Sequence, residues 1–282
     1  MSTPSRRGGA RYDFAMGVWQ EIGDRVWVRR YEMLDQTIGA VAGDDGLLIV
    51  DTRGSHRLGR ELQADAAELS RPVRWVVNTH FHWDHSWGNA VFANAELWGH
   101  ERCPPALLST FEPEQERVIG DFPEMADDVH EVVPTPPRHL LTDAASIDLG
   151  ERLVELRHLG RGHTDNDVVV VVPDVGALFV GDLLENGAPP YFGDSFPLDW
   201  PATADAIVAI ASGPVAPGHG DVGDRGFAER QAGALRLVAD LGRLVAVRDM
   251  TLVDAARSGP FGEEASRGPI ERAAAQARGD FG

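Results

Sequence analysis

Residues 79–89 read THFHWDHSWGN and place three histidines and one aspartate within six consecutive positions. The apolar run Val73–Val77 comes directly before them and is typical of a buried strand. Residues two apart on an extended segment point the same way, so His80 and His82 can bind one ion at the strand end. Past a turn, two further side chains face a neighbouring position, namely Asp84 and His85. Imidazole and carboxylate groups suit zinc, iron or manganese, so the stretch predicts part of a metal centre.

The remaining ligands are predicted at the ends of later strands. Each candidate follows an apolar run and is flanked by glycine, which allows the backbone to approach closely. The candidates are His163 in Gly162-His163-Thr164, Asp182 in Gly181-Asp182, and His219 in Gly218-His219-Gly220. The other five histidines have nothing at ligand spacing around them and are interpreted as surface or core residues: His56, His100, His130, His139 and His158.

Strand-like and helix-like patterns occur in two successive sets along the chain. The first set ends with a helical pattern at His56–Leu69 and the strand before the histidines, and the second places short β runs before a helix-rich end. Two β-rich halves that face each other, each covered by helices, are the predicted architecture.

The domain organisation predicted from these patterns is simple. Residues 1–15 are expected to form a flexible N-terminal tail, and residues 16–282 a single domain with C-terminal helices at 225–278. The segment near 101–138 is rich in proline and acid, and we expect it to be a covering insertion with a helix near Pro113–Ile119.

Composition limits the classes of partner. The net charge of −18 disfavours nucleic acid, because a nucleic-acid binder needs a basic surface. All 26 basic residues are arginines, so any side-chain cation that holds a substrate carboxylate must be a guanidinium.

The sequence predicts a cytoplasmic protein without a membrane partner. It contains no 18-residue apolar stretch, its start has no signal-like segment, and Cys103 is its single cysteine. The sequence leaves the oligomeric state open.

Taken together, the motifs H-x-H-x-D-H, G-H-T, G-D and G-H-G, in this order, resemble those of the metallo-β-lactamase superfamily. The resemblance runs from Asp51, at the end of the apolar run Gly46–Val50, to His219. It implies an α+β fold, the αββα four-layer sandwich, with metals at one edge of the two sheets. This agrees with the architecture predicted from the order of the patterns.

The resemblance also implies a ligand set for two Zn²⁺ ions, with iron or manganese as alternatives. In that set His80, His82 and His163 bind the first ion, the second is bound by Asp84, His85 and His219, and Asp182 bridges both. Asp51 would orient the metal-binding loop from behind. The position of Asp182 is typically cysteine or serine in zinc β-lactamases of the superfamily, whereas aspartate is typical of glyoxalase II and lactonases. Lactonases that open acyl-homoserine lactones generally have a tyrosine three residues further on, where this chain has Glu185.

Four further residues are candidates for the substrate pocket because they lie close to the motifs in sequence. They are Trp83, Arg161, Tyr191 and Phe192. Each has an ordinary alternative: aromatic side chains commonly pack in cores and loops, and arginines commonly form surface ion pairs.

The predicted function is hydrolysis of a small-molecule ester, thioester or lactone by a dinuclear zinc site, with a metal-bridging hydroxide as nucleophile. Asp84 is a candidate for the proton shuttle, and Asp182 for the bridge. Alternatives are β-lactam hydrolysis as a side activity, a mononuclear iron sulfur dioxygenase and, more remotely, a nuclease. A metal-stabilised binding module is the non-enzymatic alternative. The physiological substrate does not follow from the motifs.

Overall fold

The first of two sheets in the fold carries the histidine-rich stretch. The computed structural model describes residues 16–282, so the tail predicted at residues 1–15 lies outside the described part of the chain. Seven strands pair in chain order in this sheet: β1 (Gln20–Gly23), β2 (Val26–Tyr31), β3 (Gln36–Ala42), β4 (Leu47–Val50), β5 (Val73–Val77), β6 (Glu96–His100) and β7 (His139–Leu141). Strands β1 to β4 pair antiparallel, and β4 to β7 pair parallel.

The second sheet contains five strands and faces the first. They are β8 (Ala144–Asp148), β9 (Leu153–Arg157), β10 (Val169–Val172), β11 (Ala177–Phe179) and β12 (Val215–Ala216). All neighbours pair antiparallel except β11 and β12, which pair parallel. Parallel neighbours need a crossover connection, and the chain between these two strands supplies one that includes a helix.

Eight α-helices surround or connect the two sheets in the described part of the chain. They are α1 (His56–Ala67), α2 (Trp83–Ser86), α3 (Cys103–Asp121), α4 (Ala126–His130), α5 (Trp200–Ile210), α6 (Arg225–Ala246), α7 (Leu252–Arg257) and α8 (Glu263–Arg278). Helix α1 begins at the N-cap Ser55, whose side chain accepts a hydrogen bond from the backbone N–H of Leu58.

Strand alternation assigns each buried side chain to one of two faces. In β3, Val41 packs between the sheets, whereas Ile38 and Ala40 pack on the outer face towards α1. In β10, Val170 packs between the sheets, whereas Val169 packs outward. Both faces of each sheet are therefore apolar, as sheets covered on both sides require.

The outer face of the second sheet is covered by α5, α6 and α8. Trp200 of α5, Leu235 of α6 and Ile270 of α8 belong to one buried cluster with this face, and each is at most 1% exposed. The layers therefore run helix, sheet, sheet, helix. The predicted α+β, αββα four-layer sandwich is confirmed.

The insertion predicted near residues 101–138 contains more helix than the sequence indicated. Helix α3 spans 19 residues with Pro113 in its interior, not the short segment Pro113–Ile119. Helix α8 likewise contains Pro269, and it begins at Glu263. A proline removes one backbone donor without ending the helix when packing on both sides maintains it. Strands β6 and β7 were not predicted, because β6 forms by pairing with β5 and β7 by pairing with β6.

Every helix within residues 16–282 is too short or too polar to cross a lipid bilayer. The single Cys103 is buried at the start of α3.

The packing between the sheets gives a test within one strand. Leu156 of β9 is fully buried between the sheets, and Leu153 of the same strand is 50% exposed. We expect Leu156→Ala to lower the free energy of unfolding by about 2–5 kcal/mol, because it leaves a cavity in the core. Leu153→Ala is the matched control, with an expected loss below about 0.5 kcal/mol. Urea titration followed by circular dichroism measures both, and equal losses would contradict this assignment of faces.

Candidate metal centre

The candidate metal centre lies at one edge of the sandwich, where loops follow the ends of strands from both sheets. The histidine-rich stretch follows β5 of the first sheet, whereas Asp182 follows β11 and His219 follows β12 of the second. His163 comes from the loop between β9 and β10. The structure thus brings together all seven residues that the sequence predicted as ligands.

The seven residues form two groups, each of which could hold a metal ion. The first group is His80, His82, His163 and Asp182, all buried. In it the Nδ1 atom of His82 lies 3.0 Å from Nε2 of His80 and 2.8 Å from Nε2 of His163. The second group is Asp84, His85 and His219. There Oδ2 of Asp84 lies 3.4 Å from Nε2 of His85 and 3.3 Å from Nε2 of His219.

Asp182 lies between the two groups and contacts both. Its Oδ2 atom is 3.5 Å from Nε2 of His163 and 3.4 Å from Nε2 of His219, and its Oδ1 atom is 3.3 Å from Nε2 of His85. The Oδ1 atom is buried and has no hydrogen-bond partner. A buried carboxylate oxygen without a hydrogen-bond donor is costly, and a cation between the groups would satisfy it. The donor set therefore fits metal ions.

Each of the five histidines has a partner for the ring nitrogen that points away from the centre. His85 pairs with the Asp51 carboxylate at 2.9 Å, and His82 pairs with Asp194 at 3.1 Å. The others pair with the Thr79 hydroxyl and with the backbone oxygens of Tyr191 and Leu34. Such partners fix the orientation of a ligating imidazole and raise its basicity.

The buried Asp51 connects two parts of the histidine-rich loop. Its carboxylate accepts hydrogen bonds from the backbone N–H and the hydroxyl of Thr79, both at 2.8 Å, besides its contact with His85. The backbone of Asp51 has φ 68°, in a region that L-residues rarely adopt. Backbone strain of this kind persists only where the surrounding structure enforces it. The geometry matches the orienting role that the resemblance implied.

A network of buried polar groups holds the backbone of His85. Its carbonyl oxygen accepts hydrogen bonds from the backbone N–H of Thr52 at 2.8 Å and from the side chain of Asn78 at 3.1 Å. The Asn89 side chain donates to Asn78 at 2.7 Å and accepts from the Thr52 hydroxyl at 2.8 Å. Fully satisfied networks of this kind make a loop rigid.

The loop that carries His219 is held against the first sheet. The backbone N–H of Thr37 donates to the carbonyl of Gly218 at 2.8 Å, and the Thr37 hydroxyl donates to the carbonyl of Gly220 at 2.6 Å. At position 218 a Cβ atom would lie 1.9 Å from Oδ1 of Asp182. Only glycine therefore fits beside this carboxylate. The close approach of the backbone, which the glycines beside the candidate ligands predicted, is present at this position.

Electrostatic interactions in the cluster favour anionic carboxylates. Burial alone would raise the pKa of Asp182, but His85 and His219 outweigh burial and hold that pKa well below its usual range. Burial lowers the pKa of His163 to about 4 and that of His80 well below its ordinary value. Neutral imidazoles at His80 and His163 and ionised carboxylates are protonation states that bind metal. At His82, His85 and His219 the neighbouring carboxylates outweigh burial and raise the pKa of each imidazole.

A cavity of about 760 Å³ opens over the two groups. Helix α3 forms one wall, the loop around Tyr191 another, and the segment Leu34–Asp35 a third. The apolar part of the lining consists of Leu34, Phe81, Trp83, Pro113, Phe122, Ala188 and Tyr191. Five of the candidate ligands line the cavity, namely His82, Asp84, His163, Asp182 and His219, and we call this part of the lining its floor. A substrate bound there would have a polar group at the floor and apolar contacts around it.

Two of the four pocket candidates line this cavity and two do not. Tyr191 lines it and is 55% exposed, and Trp83 lines it and also packs against Phe122. Phe192 is 6% exposed and packs on Trp200 in the core, so its prediction as pocket wall was wrong.

The prediction that Arg161 lines the substrate pocket was also wrong. Its guanidinium pairs with Asp199 at 2.8 Å and lies over the ring of Phe196, away from the residues that line the cavity. Arg161 therefore forms a surface ion pair, the alternative role that its sequence position left open.

Sequence reasoning missed Asp194, Glu185 and Arg117 as residues of the site. Asp194 contacts His82 across 112 positions of chain, and Arg117 reaches the cavity only because α3 is long. Glu185 was noted only for the tyrosine it replaces, but it lines the cavity and accepts a hydrogen bond from the backbone of Tyr191 at 3.0 Å. No short motif marks any of the three.

Comparison with known families decides how the centre is classified. The model of the metallo-beta-lactamase superfamily matches residues 33–247, a range that contains both groups of candidate ligands. The chain belongs to this superfamily. The predicted resemblance is confirmed at the level of the superfamily.

Curated relatives in the metallo-beta-lactamase superfamily match parts of the chain. The metallo-beta-lactamase type 2 of Bacillus cereus is 25% identical over 188 residues, which cover 64% of this chain and 66% of that protein. The metallo-beta-lactamase type 2 of Bacteroides fragilis is 33% identical over 92 residues, 31% of this chain and 37% of that protein. The chain thus spans just under two thirds of the length of the Bacillus cereus relative.

Solved metallo-beta-lactamase structures share the fold. The metallo-beta-lactamase from Pontibacter korlensis superposes with a TM-score of 0.59 at 20% identity, covering 77% of this chain and 98% of that one. The metallo-beta-lactamase FIM-1 from Pseudomonas aeruginosa, in a mono-zinc form, gives a TM-score of 0.59 at 21% identity, covering 80% and 98%. About a fifth of this chain lies outside each of these two superpositions.

The contact between Asp194 and His82 yields a test of metal binding. Asp194→Asn removes the charge that orients the imidazole but nearly keeps the shape of the side chain. We expect the affinity for Zn²⁺ to fall by about 10–100-fold, measured by competition with a chromophoric chelator. Asp205→Asn is the matched control, because Asp205 is exposed and pairs with Arg236 on the surface. An unchanged zinc affinity in Asp194→Asn would show that His82 is oriented without this carboxylate.

Proposed function

We propose that the protein is a metal-dependent hydrolase that cleaves a small ester, thioester or lactone with two divalent ions. Zinc is the expected metal, with iron or manganese as alternatives. One observation carries the proposal: two adjoining ligand groups share the buried Asp182 at the floor of a largely apolar cavity. A structural metal site would have no need of a cavity above its ligands, whereas a catalytic site keeps an open position.

The proposed assignment of ligands follows the two groups. His80, His82 and His163 would hold one ion, the second would be held by Asp84, His85 and His219, and Asp182 would bridge them. Bound divalent ions lower the pKa of water towards neutrality and polarise a carbonyl group. This chemistry needs no nucleophilic serine or cysteine from the chain.

The side chains supply orientation and proton transfer. Asp84 lines the cavity and belongs to the second group, so its carboxylate is placed to take the proton of the attacking water. The water oxygen bonds to the carbonyl carbon, the bond from that carbon to the leaving oxygen or sulfur breaks, and Asp84 returns the proton to the leaving atom. The apolar wall around Phe81 and Phe122 limits the water in contact with the reacting carbonyl.

The ligand set supports esters, thioesters and lactones as substrates. Aspartate at position 182 is similar to glyoxalase II and the lactonases, and differs from the cysteine or serine that is typical of zinc β-lactamases. Position 185 is glutamate, whereas lactonases that open acyl-homoserine lactones generally have tyrosine there. We therefore rank simple esters and thioesters above that class of lactone.

A β-lactam is the second candidate substrate, because the curated relatives of the chain are named metallo-beta-lactamases. Among the residues that line the cavity, Arg117 alone could hold the carboxylate that β-lactam antibiotics carry, and it already pairs with two carboxylates of its own helix. This arrangement disfavours β-lactams as the main substrate. An iron sulfur dioxygenase or a nuclease would differ in metal content and in preferred substrate.

Metal content is the first test of this function. We expect two Zn²⁺ ions per chain after incubation with zinc and desalting, measured by elemental analysis. His219→Ala should leave about one ion, because the group that contains His80, His82 and His163 stays intact. One ion or fewer in the wild-type chain would contradict the dinuclear proposal, and iron alone would favour the dioxygenase.

Substitution of Asp182 tests the bridge. We expect Asp182→Ala to lower kcat/KM by at least about 100-fold on the best substrate from a panel of aryl esters, thioesters, lactones and cephalosporins. Asp182→Cys should be milder in the zinc enzyme, because thiolate also binds zinc. Asp205→Ala is the control, and circular dichroism shows whether each variant is folded. Wild-type rates in Asp182→Ala would rule out the bridging role, and a cephalosporin cleaved better than every ester would favour the second candidate.

A further inference from the structure

The charges that surround the cavity are strongly asymmetric. Apart from the candidate metal ligands, its lining contains five carboxylate residues: Asp35, Glu114, Asp121, Glu185 and Asp194. Among the residues that line it, Arg117 is the single arginine, and the chain has no lysine. A substrate that enters the cavity therefore meets far more acidic than basic side chains.

The single arginine is already neutralised by its own helix. Nε of Arg117 lies 3.0 Å from Oε2 of Glu114, and Nη1 lies 2.8 Å from Oδ2 of Asp121. All three residues belong to α3 and line the cavity. Glu114 lies one turn before Arg117 and Asp121 one turn after it, the spacings at which helical ion pairs form. The trio has a net charge of −1, so it offers no free cation to an anionic substrate.

The other acidic residues of the lining have few cationic partners. Asp194 faces His82, and Asp35 pairs with Arg30, which also pairs with Asp221. Burial raises the pKa of Glu185 to about 8, so this residue is largely uncharged at neutral pH. The trio on α3 and the group of Asp35, Arg30 and Asp221 thus each carry a net charge of −1, and Asp194 adds a carboxylate beside His82, so no unpaired cation among these side chains faces the cavity.

The remaining wall of the cavity is apolar and rich in aromatic rings. Phe81, Trp83, Phe122 and Tyr191 line it. Aromatic faces attract cations as well as apolar groups, and nearby carboxylates strengthen the attraction to a cation. An anionic group in the same place would lose its hydration without gaining a partner.

We propose that α3 makes the cavity a charge-selective acyl pocket, which accepts substrates whose acyl group ends in a neutral or cationic apolar group and rejects those that end in a carboxylate or phosphate. The proposal rests on the proposed hydrolase function and names the substrate class of the same site. Glu114 and Asp121 are its selectivity residues, because they keep the guanidinium of Arg117 from a substrate anion.

Three p-nitrophenyl esters with acyl chains of similar length test the proposal with the zinc-loaded full chain. Their acyl groups are 4-(trimethylammonio)butanoyl, 5,5-dimethylhexanoyl and 4-carboxylatobutanoyl, which end in a cation, a neutral group and an anion. We expect kcat/KM for the cationic ester to be at least equal to that of the neutral one, and for the anionic ester to be at least about tenfold lower. Equal values for all three, or a preference for the anion, would overturn the proposal.

A double substitution on α3 tests the residues themselves. We expect Glu114→Gln combined with Asp121→Asn to release Arg117 and to raise the anionic-to-neutral ratio of kcat/KM by at least about tenfold. The matched control combines Glu116→Gln with Glu124→Gln. Both residues are exposed and do not line the cavity, and the two substitutions remove the same formal charge. An equal change in both double variants would mean that net charge, and not the trio on α3, sets the preference.

Binding of the matched anilides separates failure of the pocket from failure of the proposed function. The anilide bond resists hydrolysis, so calorimetry reports affinity alone. If no ester is cleaved but the three anilides bind in the expected order of charge, the hydrolase function is wrong and the pocket is right. If the esters are cleaved but the anilides bind with equal affinity, the selectivity is wrong and the hydrolase function stands.

Discussion

The burial of the Asp182 carboxylate is the constraint on which the rest of the candidate centre depends. The residue comes from the end of β11 in the second sheet, whereas four of the side chains around it come from the loop after β5 in the first. Its Oδ1 atom has no hydrogen-bond donor, and a buried carboxylate in that state is costly unless positive charge lies nearby. The two sheets therefore meet at a point that is stable only with histidines, cations or both around it.

Much of the surrounding structure supports this meeting point from behind. The carboxylates of Asp51 and Asp194 face the outer nitrogens of His85 and His82, and the Thr37 backbone and hydroxyl hold the loop of His219. These contacts join residues that are 34 to 183 positions apart in sequence, so they form only when the sandwich is assembled. Rigid support of this kind reduces the reorganisation that metal binding and catalysis require.

Helix α3 contributes to selectivity and not to the ligand set. It lies between β6 and β7 and forms one wall of the cavity, with Arg117 tied to Glu114 and Asp121. The candidate ligands thus come from loops at strand ends, and one wall of the cavity comes from helix α3. Chemistry and specificity are separated in the structure, which is the usual reason why a fold alone does not identify a substrate.

The sequence by itself determined the fold class and the seven candidate ligands. His80, His82, Asp84 and His85 lie within six positions, in the loop after β5 and in helix α2, so short-range chain geometry keeps them close together. The ligands from the second sheet were recognisable because each follows an apolar run and has glycine beside it. Only the tertiary structure placed Asp194 behind His82, turned Phe192 into the core and brought Arg117 into the cavity wall. Those positions depend on packing between segments far apart in the chain, and such contacts leave no periodic signal in the sequence.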